Sequence, residues 1–443
     1  MSATIATVSA DRATRRTRRR AYVGASLGNA VEWYDFSVYG FLVVYIGANF
    51  FSAESALVEV LTSFAVFGLS FVARPLGGLF FGPLADRHGR KKVMITVLTL
   101  MALSTFGMGV VPSESAIGLF APAIIVTLRL LQGFSAGGEF GSVSAFMSEY
   151  AAAGRRGLAV SWMALSTVAA FIAGGVLCAA LEATLGEDAM LAWGWRIPFL
   201  IGGALGLVGL FIRLRLEDSP AFDRMKNEGR ISNSPLRDVF RGSLRPLLLA
   251  GGVAVLYGVS FYMVFTYINT FVRTVAEVKP GIALGALVVT GLVASVALPI
   301  TGHLSDRVGR RPVLATAAVG YLVLAYPMFQ WMSNGTTAGI FVGWLVLGLL
   351  QATYLATAIA TLTELFTDSV RTTGVSLGLN IPVALFGGGA PFAATALISW
   401  TDLPVAPAFY LMGAAAISLV AITVMSPQDL GRSSAEQLAR VPA

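Results

Sequence analysis

Long apolar runs alternate with short polar breaks along this chain, and a helix needs about twenty apolar residues to cross a bilayer. Twelve runs of that kind stand near residues 22–49, 58–83, 92–111, 120–147, 158–184, 195–213, 245–271, 282–304, 312–332, 338–362, 374–399 and 407–426. The one sizeable polar interruption, residues 214–244, carries Glu217, Asp218, Asp223, Arg224, Lys226, Glu228 and Arg230 and falls near the middle. The pattern predicts an all-α membrane protein with twelve transmembrane helices in two pseudo-symmetric six-helix halves. A basic arm (1–21) precedes the first half (22–213). A polar loop with short surface helices (214–244) leads to the second half (245–426) and a short tail (427–443).

Repetition supports the two halves. The string Gly82-Pro-Leu-Ala-Asp86-Arg87-His-Gly89-Arg90-Lys91 returns as Gly302-His-Leu-Ser-Asp306-Arg307-Val-Gly309-Arg310-Arg311, with six of ten positions identical at an offset of 220 residues. A single copy would read as an ordinary tight turn. Two copies at matched positions point to a duplicated unit, which is a transporter signature. A fainter echo accompanies them: Glu149 is followed seven residues later by Arg156, and Glu364 by Arg371, each at the end of an apolar run.

Composition agrees with the pattern. The chain is 56% hydrophobic and 12% charged, whereas a soluble domain is about one quarter charged. The net charge of +7 does not mark nucleic-acid binding, because the arginines are scattered between apolar runs rather than gathered on one face. With the N-terminus inside, most of the 31 Lys and Arg residues fall on cytoplasmic segments, which predicts both termini in the cytoplasm. External loops carry Glu54, Glu59, Glu114, Glu182, Glu187, Asp188 and Asp402. The arm with Arg12, Arg15, Arg16, Arg18, Arg19 and Arg20 is expected to be a basic cytoplasmic arm before an uncleaved first helix rather than a signal peptide, because Glu32 and Asp35 interrupt the run behind it. The single Cys178 and the two histidines, His88 and His303, give no disulfide, metal or catalytic set, so neither an enzyme nor a cofactor is expected.

Five ionisable residues fall inside predicted spans: Glu32, Asp35, Arg74, Arg129 and Glu139. Such groups are costly in hydrocarbon and are functional candidates by default. On the first helix Gly28, Glu32, Asp35 and Tyr39 share one face, as do Arg129, Gln132, Ala136 and Glu139 on the fourth. Counting about 1.5 Å per residue places Glu32, Arg74 and Glu139 at one depth, with Asp35 and Arg129 deeper and within reach of each other. Three carboxylates against two guanidiniums leave one negative charge in excess, which invites a labile proton. A carboxyl whose arginine is captured by a substrate anion takes up a proton more readily, which is the physical core of symport. The second half has no charge within its spans and offers Tyr257, Ser260, Tyr262, Tyr267 and Asn269, then Gln351, Tyr354 and Thr361, then Asn380. Pro382, Gly387, Gly388, Gly389 and Pro391 permit a bend in the eleventh helix.

The twin strings resemble the loop between the second and third helices of each half in the major facilitator superfamily. Gly28-Asn-Ala-Val-Glu-Trp-Tyr-Asp35-Phe, Arg74-Pro-Leu-Gly-Gly, Arg129-Leu-Leu-Gln132-Gly, Gly137-Gly-Glu139-Phe-Gly and Trp193-Gly-Trp-Arg196-Ile-Pro are similar to its metabolite:proton symporter branch. That resemblance implies secondary transport across a bacterial plasma membrane of citrate, α-ketoglutarate, shikimate, or proline and betaine. It also implies proton coupling through the motif of Arg129, Gln132 and Gly133. Gly82, Asp86, Arg87, Gly89, Arg90, Asp306, Arg307, Gly309 and Arg310, with Glu149, Arg156, Glu364 and Arg371, resemble elements that latch the halves on the cytoplasmic side.

The expectation is a monomeric proton-coupled symporter that imports a small di- or tricarboxylate by alternating access. The alternative is a carrier of a zwitterion such as proline or glycine betaine. Asp35, Glu32 and Glu139 are the candidates for the proton. Arg129, Gln132, Arg74, Tyr39, Tyr257, Gln351, Tyr354 and Asn380 are the candidates for the substrate. Osmosensing relatives can carry a long C-terminal coiled coil, and the short tail here counts against that subgroup.

Overall fold

A computed structural model describes residues 2–51 and 56–430, without the side chains of 2–16, 56–57, 60, 61, 64, 220 and 280. Glu54, the tail beyond residue 430 and the side chains of Arg12, Arg15 and Arg16 lie outside the described residues. All described secondary structure is helical. The twelve long helices are α1 (Ser2–Phe41), α2 (Ala56–His88), α3 (Arg90–Val110), α4 (Phe120–Tyr150), α5 (Arg156–Leu185), α6 (Arg196–Leu214), α7 (Leu244–Thr274), α8 (Pro280–Val308), α9 (Arg310–Ser333), α10 (Thr337–Glu364), α11 (Arg371–Thr401) and α12 (Ala406–Val424). Eleven of them are apolar enough to be recognised as membrane spans by length and composition alone. The exception is α1, whose Asn29, Glu32 and Asp35 dilute its apolar character yet are all buried in the bundle.

The ten-residue repeat is not a loop. Helices α2 and α3 meet at the single residue Gly89, and α8 and α9 at Gly309, with φ of 101° and 100°. Only glycine adopts that conformation without strain, so each repeat is the end of one helix, a one-residue joint and the start of the next.

The halves touch along two equivalent seams: α2 packs against α11, and α8 against α5. At the first seam a Cβ on Gly82 would lie 2.9 Å from the Thr373 backbone, and at the second a Cβ on Gly302 would lie 2.7 Å from the Gly157 carbonyl oxygen. These glycines therefore serve close helix approach. Within the first half, glycines spaced by four do the same. A Cβ on Gly133 or Gly137 would lie 2.0 Å from the carbonyl oxygens of Ser70 or Arg74, so α4 rests on the backbone of α2.

Two helices carry widened π turns beside the centre, Met263–Tyr267 in α7 and Val383–Gly387 in α11. The second lies where the prolines and glycines predict a bend. Between α6 and α7 the chain forms the short helices Pro220–Asn227 and Pro235–Gly242. Asp218 joins this stretch to the first half, accepting from the backbone N–H groups of Arg90 (3.2 Å) and Lys91 (3.4 Å) at the start of α3. Burial pushes its carboxyl above the usual aspartate range even though those N–H groups favour its charge.

Candidate functional site: buried ion pairs of the first half

The face of α1 predicted to look inward carries three levels of charge. At the deepest, Asp35 lies 3.4 Å from the Arg129 guanidinium and accepts a hydrogen bond from Gln132 Nε2 at 2.9 Å. Gln132 also accepts from Arg129 (2.7 Å) and donates to Thr105 (3.1 Å). The guanidinium lies 4.1 Å from the centre of the Tyr39 ring, and Tyr39 donates to the Ser63 carbonyl. Asp35, Arg129, Gln132 and Tyr39 are fully buried and belong to one network.

One turn away, Glu32 pairs with Arg74 at 3.2 Å. The Arg74 guanidinium faces Phe36 at 4.5 Å, Phe71 at 5.1 Å and Trp33 at 5.6 Å. The Phe36 ring is shared, lying 5.1 Å from Arg129 on the other side. Beside this pair is a cavity of about 10 Å³ between the halves, lined by Glu32, Trp33, Arg74 and Phe140 from the first and Tyr257, Phe261, Tyr262, Leu379 and Val383 from the second. Its polar rim is incompletely satisfied: Glu32 Oε2, Arg74 Nε and the Tyr262 hydroxyl are buried without a hydrogen-bond partner. Buried atoms without a partner also occur on Arg90, Arg129 and Arg213, but here three of them converge on one cavity, which suits a water or the polar groups of a ligand.

The third level corrects the charge count. Glu139 is not grouped with Arg74; it forms a two-pronged ion pair with Arg213, which also donates to the Met94 carbonyl at 2.7 Å. Arg213 is fully buried, although its place at the end of a span assigns it to the cytoplasmic loop. Gly28 makes room for it, since a Cβ there would lie 1.9 Å from Arg213 Nη2. Three carboxylates therefore meet three guanidiniums, and the interior carries no excess charge. Glu32 and Glu139 share only a narrow apolar gap lined by Val97, Leu98, Met101 and Ala136.

Of the polar groups that the second half offers, Tyr257 and Tyr262 line the cavity, whereas Gln351, Tyr354 and Asn380 do not. Tyr354 donates to the Val253 carbonyl, and Gln351 accepts from Tyr321. Asn380 instead bridges the halves by donating to the Gly137 carbonyl at 2.8 Å. Trp33, Phe36, Phe71, Phe140 and Phe261 were not foreseen, because aromatic residues are common throughout spans and none has a distinguishing spacing.

The face holding the joints Gly89 and Gly309, which the charge pattern predicts to be cytoplasmic, is closed by matched contacts. Asp86 accepts from the backbone N–H groups of Thr372 (3.2 Å) and Thr373 (2.8 Å) and from the Thr373 hydroxyl (2.7 Å), at the start of α11. Asp306 accepts from the N–H groups of Gly157 (2.7 Å) and Leu158 (2.9 Å), at the start of α5. Each aspartate thus caps a helix of the opposite half, where the helix dipole favours negative charge. Glu149 extends the closure by pairing with Arg90 (3.2 Å) and, across the seam, Arg371 (2.9 Å). Arg310 joins Asp306 (2.8 Å) to Glu364 (2.7 Å). Arg87 and Arg307 are exposed and stand outside this network; Arg156 opens α5.

The "Sugar (and other) transporter" family profile matches residues 21–231, and the Major Facilitator Superfamily profile matches residues 280–442. The chain belongs to the major facilitator superfamily. It is 34% identical to the proline/betaine transporter of Escherichia coli K12 over 413 residues, covering 91% of this chain and 82% of that one. Identity is also 34% to the glycine betaine/proline/ectoine/pipecolic acid transporter OusA of Dickeya dadantii, with the same coverage. A putative proline/betaine transporter of Staphylococcus aureus COL is 34% identical over 425 residues, covering 94% of this chain and 90% of that one. Among solved structures, the proton:xylose symporter XylE bound to 6-bromo-6-deoxy-D-glucose superposes with a TM-score of 0.76 at 16% identity, covering 93% and 96% of the two chains. This superfamily member is a multi-pass membrane transporter and not an enzyme.

Proposed function

We propose that the protein is a proton-coupled importer of a small zwitterion of the glycine betaine or proline kind. It acts as a monomer in the bacterial plasma membrane with both termini cytoplasmic, and residues 22–213 and 245–426 are its two moving halves. The observation that carries this reading is the Glu32–Arg74 pair at the aromatic cavity, with one free polar atom on each partner. A zwitterion matches it in charge and in chemistry. Its carboxylate meets Arg74, and its ammonium meets Glu32 and the faces of Trp33, Phe261 and Tyr262, which attract a cation through the ring quadrupole. Binding then exchanges one neutral pair for two and adds no net charge to a low-dielectric interior.

A di- or tricarboxylate would bring two or three negative charges to a site whose three guanidiniums already have partners. The excess carboxylate, which argued for a labile proton and not for an anionic substrate, is removed by Arg213, so the coupling rests instead on Asp35 and its partners Arg129 and Gln132. The names of the relatives support the zwitterion as well. The proton is carried by Asp35, whose bonds to Arg129 and Gln132 open and close with the cycle, while Asp86, Asp306, Glu149 and Arg371 latch the inner face. The cavity is too small for any substrate in this closed state and widens as the seams part. Counterflow in proteoliposomes tests the reading: labelled glycine betaine or proline exchanges, whereas exchange of labelled α-ketoglutarate or citrate with neither zwitterion competing contradicts it.

A further inference from the structure

On the outer surface of the bundle a groove of about 930 Å³ runs between α1, α5 and α6, away from the central cavity. Small residues create it: Ala169 and Ala173, one turn apart on α5, leave a trough that Val23 and Leu27 of α1 flank. The lining reaches along α1 from Arg18 to Tyr34, about 24 Å of helix at 1.5 Å per residue, which exceeds the depth of one leaflet. Its inner mouth is framed by Arg18 and Arg19, neither of which forms an ion pair with a described residue. Trp162, half exposed, stands in the same groove one and a half turns into α5.

We propose that this groove is a binding site for one anionic phospholipid of the inner leaflet. The occupant follows from the surroundings and the charge. The groove opens onto the hydrocarbon, so acyl chain is what fills it. The two guanidiniums at the mouth, without an ion pair among the described residues, select a headgroup with net negative charge over a zwitterionic one, each basic residue near the surface contributing favourably to that choice. Arginine suits the task because its planar donor array matches a phosphate. The lipid lies against the back of α1, whose opposite face holds Glu32 and Asp35. The site is independent of which solute the carrier moves.

Trp162 supplies the readout, because brominated acyl chains quench a nearby indole. The full-length protein is reconstituted in phosphatidylcholine nanodiscs with increasing fractions of brominated phosphatidylglycerol or brominated phosphatidylcholine. Phosphatidylglycerol is expected to reach half-maximal quenching at roughly tenfold lower mole fraction. That headgroup preference falls toward none in Arg18→Gln/Arg19→Gln, which removes the charge. It also falls in Ala169→Leu/Ala173→Leu, which fills the trough and leaves the charge, and the preferential component disappears in Trp162→Phe. Equal quenching by the two headgroups in the native protein, or a preference unchanged in both double variants, overturns the proposal.

Discussion

Glu139 and Arg213 illustrate how a buried ion pair is worth little as a whole and much in its parts. Removing one partner leaves an uncompensated charge in the interior, at a cost of about 3–5 kcal/mol, whereas replacing both with neutral groups of similar size is close to neutral. Arg213→Met should therefore lower the melting temperature sharply, and adding Glu139→Gln should restore most of it. If the double variant also concentrates substrate, Glu139 is not the proton carrier. Gly28→Ala should be milder than Arg213→Met, since its methyl group would push the end of the Arg213 side chain aside without removing its charge. Asp35→Asn separates the roles differently: it keeps a hydrogen-bonding group beside Gln132 but cannot release a proton. Substrate exchange should persist and uptake against a gradient should fail, measured in proteoliposomes with and without an imposed pH difference; retained accumulation would transfer the proton to Glu32. The Asp35–Arg129 pair was legible in the sequence because helical spacing and depth place the two together; Glu32, Arg74 and Glu139 were legible only as one level, without showing which carboxylate Arg74 meets. Arg213 was not, because it stands beside Arg215 at the end of a span and looks like one more loop arginine. The unpaired clue was Gly28, a gap on a charged face.

At the scale of elements, the duplicated string was legible as a repeat but not as a helix joint. Its glycines and aspartates suit a turn, and only tertiary packing shows that Asp86 and Asp306 reach across to cap α11 and α5. The two caps are equivalent by pseudo-symmetry and unequal in strength. Asp86 receives three hydrogen bonds from α11, and Asp306 receives two from α5. Charge-assisted bonds of this kind contribute about 1.5–3 kcal/mol each. Asp86→Asn should therefore shift the carrier further from the inwardly closed state than Asp306→Asn. Accessibility of a cysteine introduced at Ser376, buried in the same seam against Gly78 and Gly141, to a membrane-impermeant thiol reagent from the side that bears Gly89 and Gly309 measures this. Equal labelling in both variants, at the level of the otherwise unchanged protein, would show that the caps do not hold the closure. The π turn in α7 has no sequence signal comparable to Pro382 beside the one in α11, and Met263–Tyr267 was accordingly unforeseen; both place non-standard backbone next to the cavity, where such turns are often functional.

For the whole molecule, the two-half bundle followed from apolar run lengths and internal repetition, whereas the substrate class did not. The proposed choice of a zwitterion over an organic acid rests on cavity walls that no sequence spacing marks, and the charge sum read from the sequence misses Arg213, whose position assigns it to the loop. With that sum at zero, the centre is suited to a solute that carries both signs. Arg74→Lys should weaken binding tenfold or more while leaving the fold intact, because an ammonium cannot offer the planar two-pronged contact to a carboxylate. The most direct test isolates the positive charge of the substrate. Glycine betaine and 3,3-dimethylbutanoate have the same shape, with a carbon in place of the quaternary nitrogen, so they differ in charge alone. Equilibrium binding of the two to the purified protein at one pH should favour glycine betaine by at least tenfold, from its contacts with Glu32 and the aromatic walls. Equal or tighter binding of 3,3-dimethylbutanoate would contradict the account and return the site to simple anions.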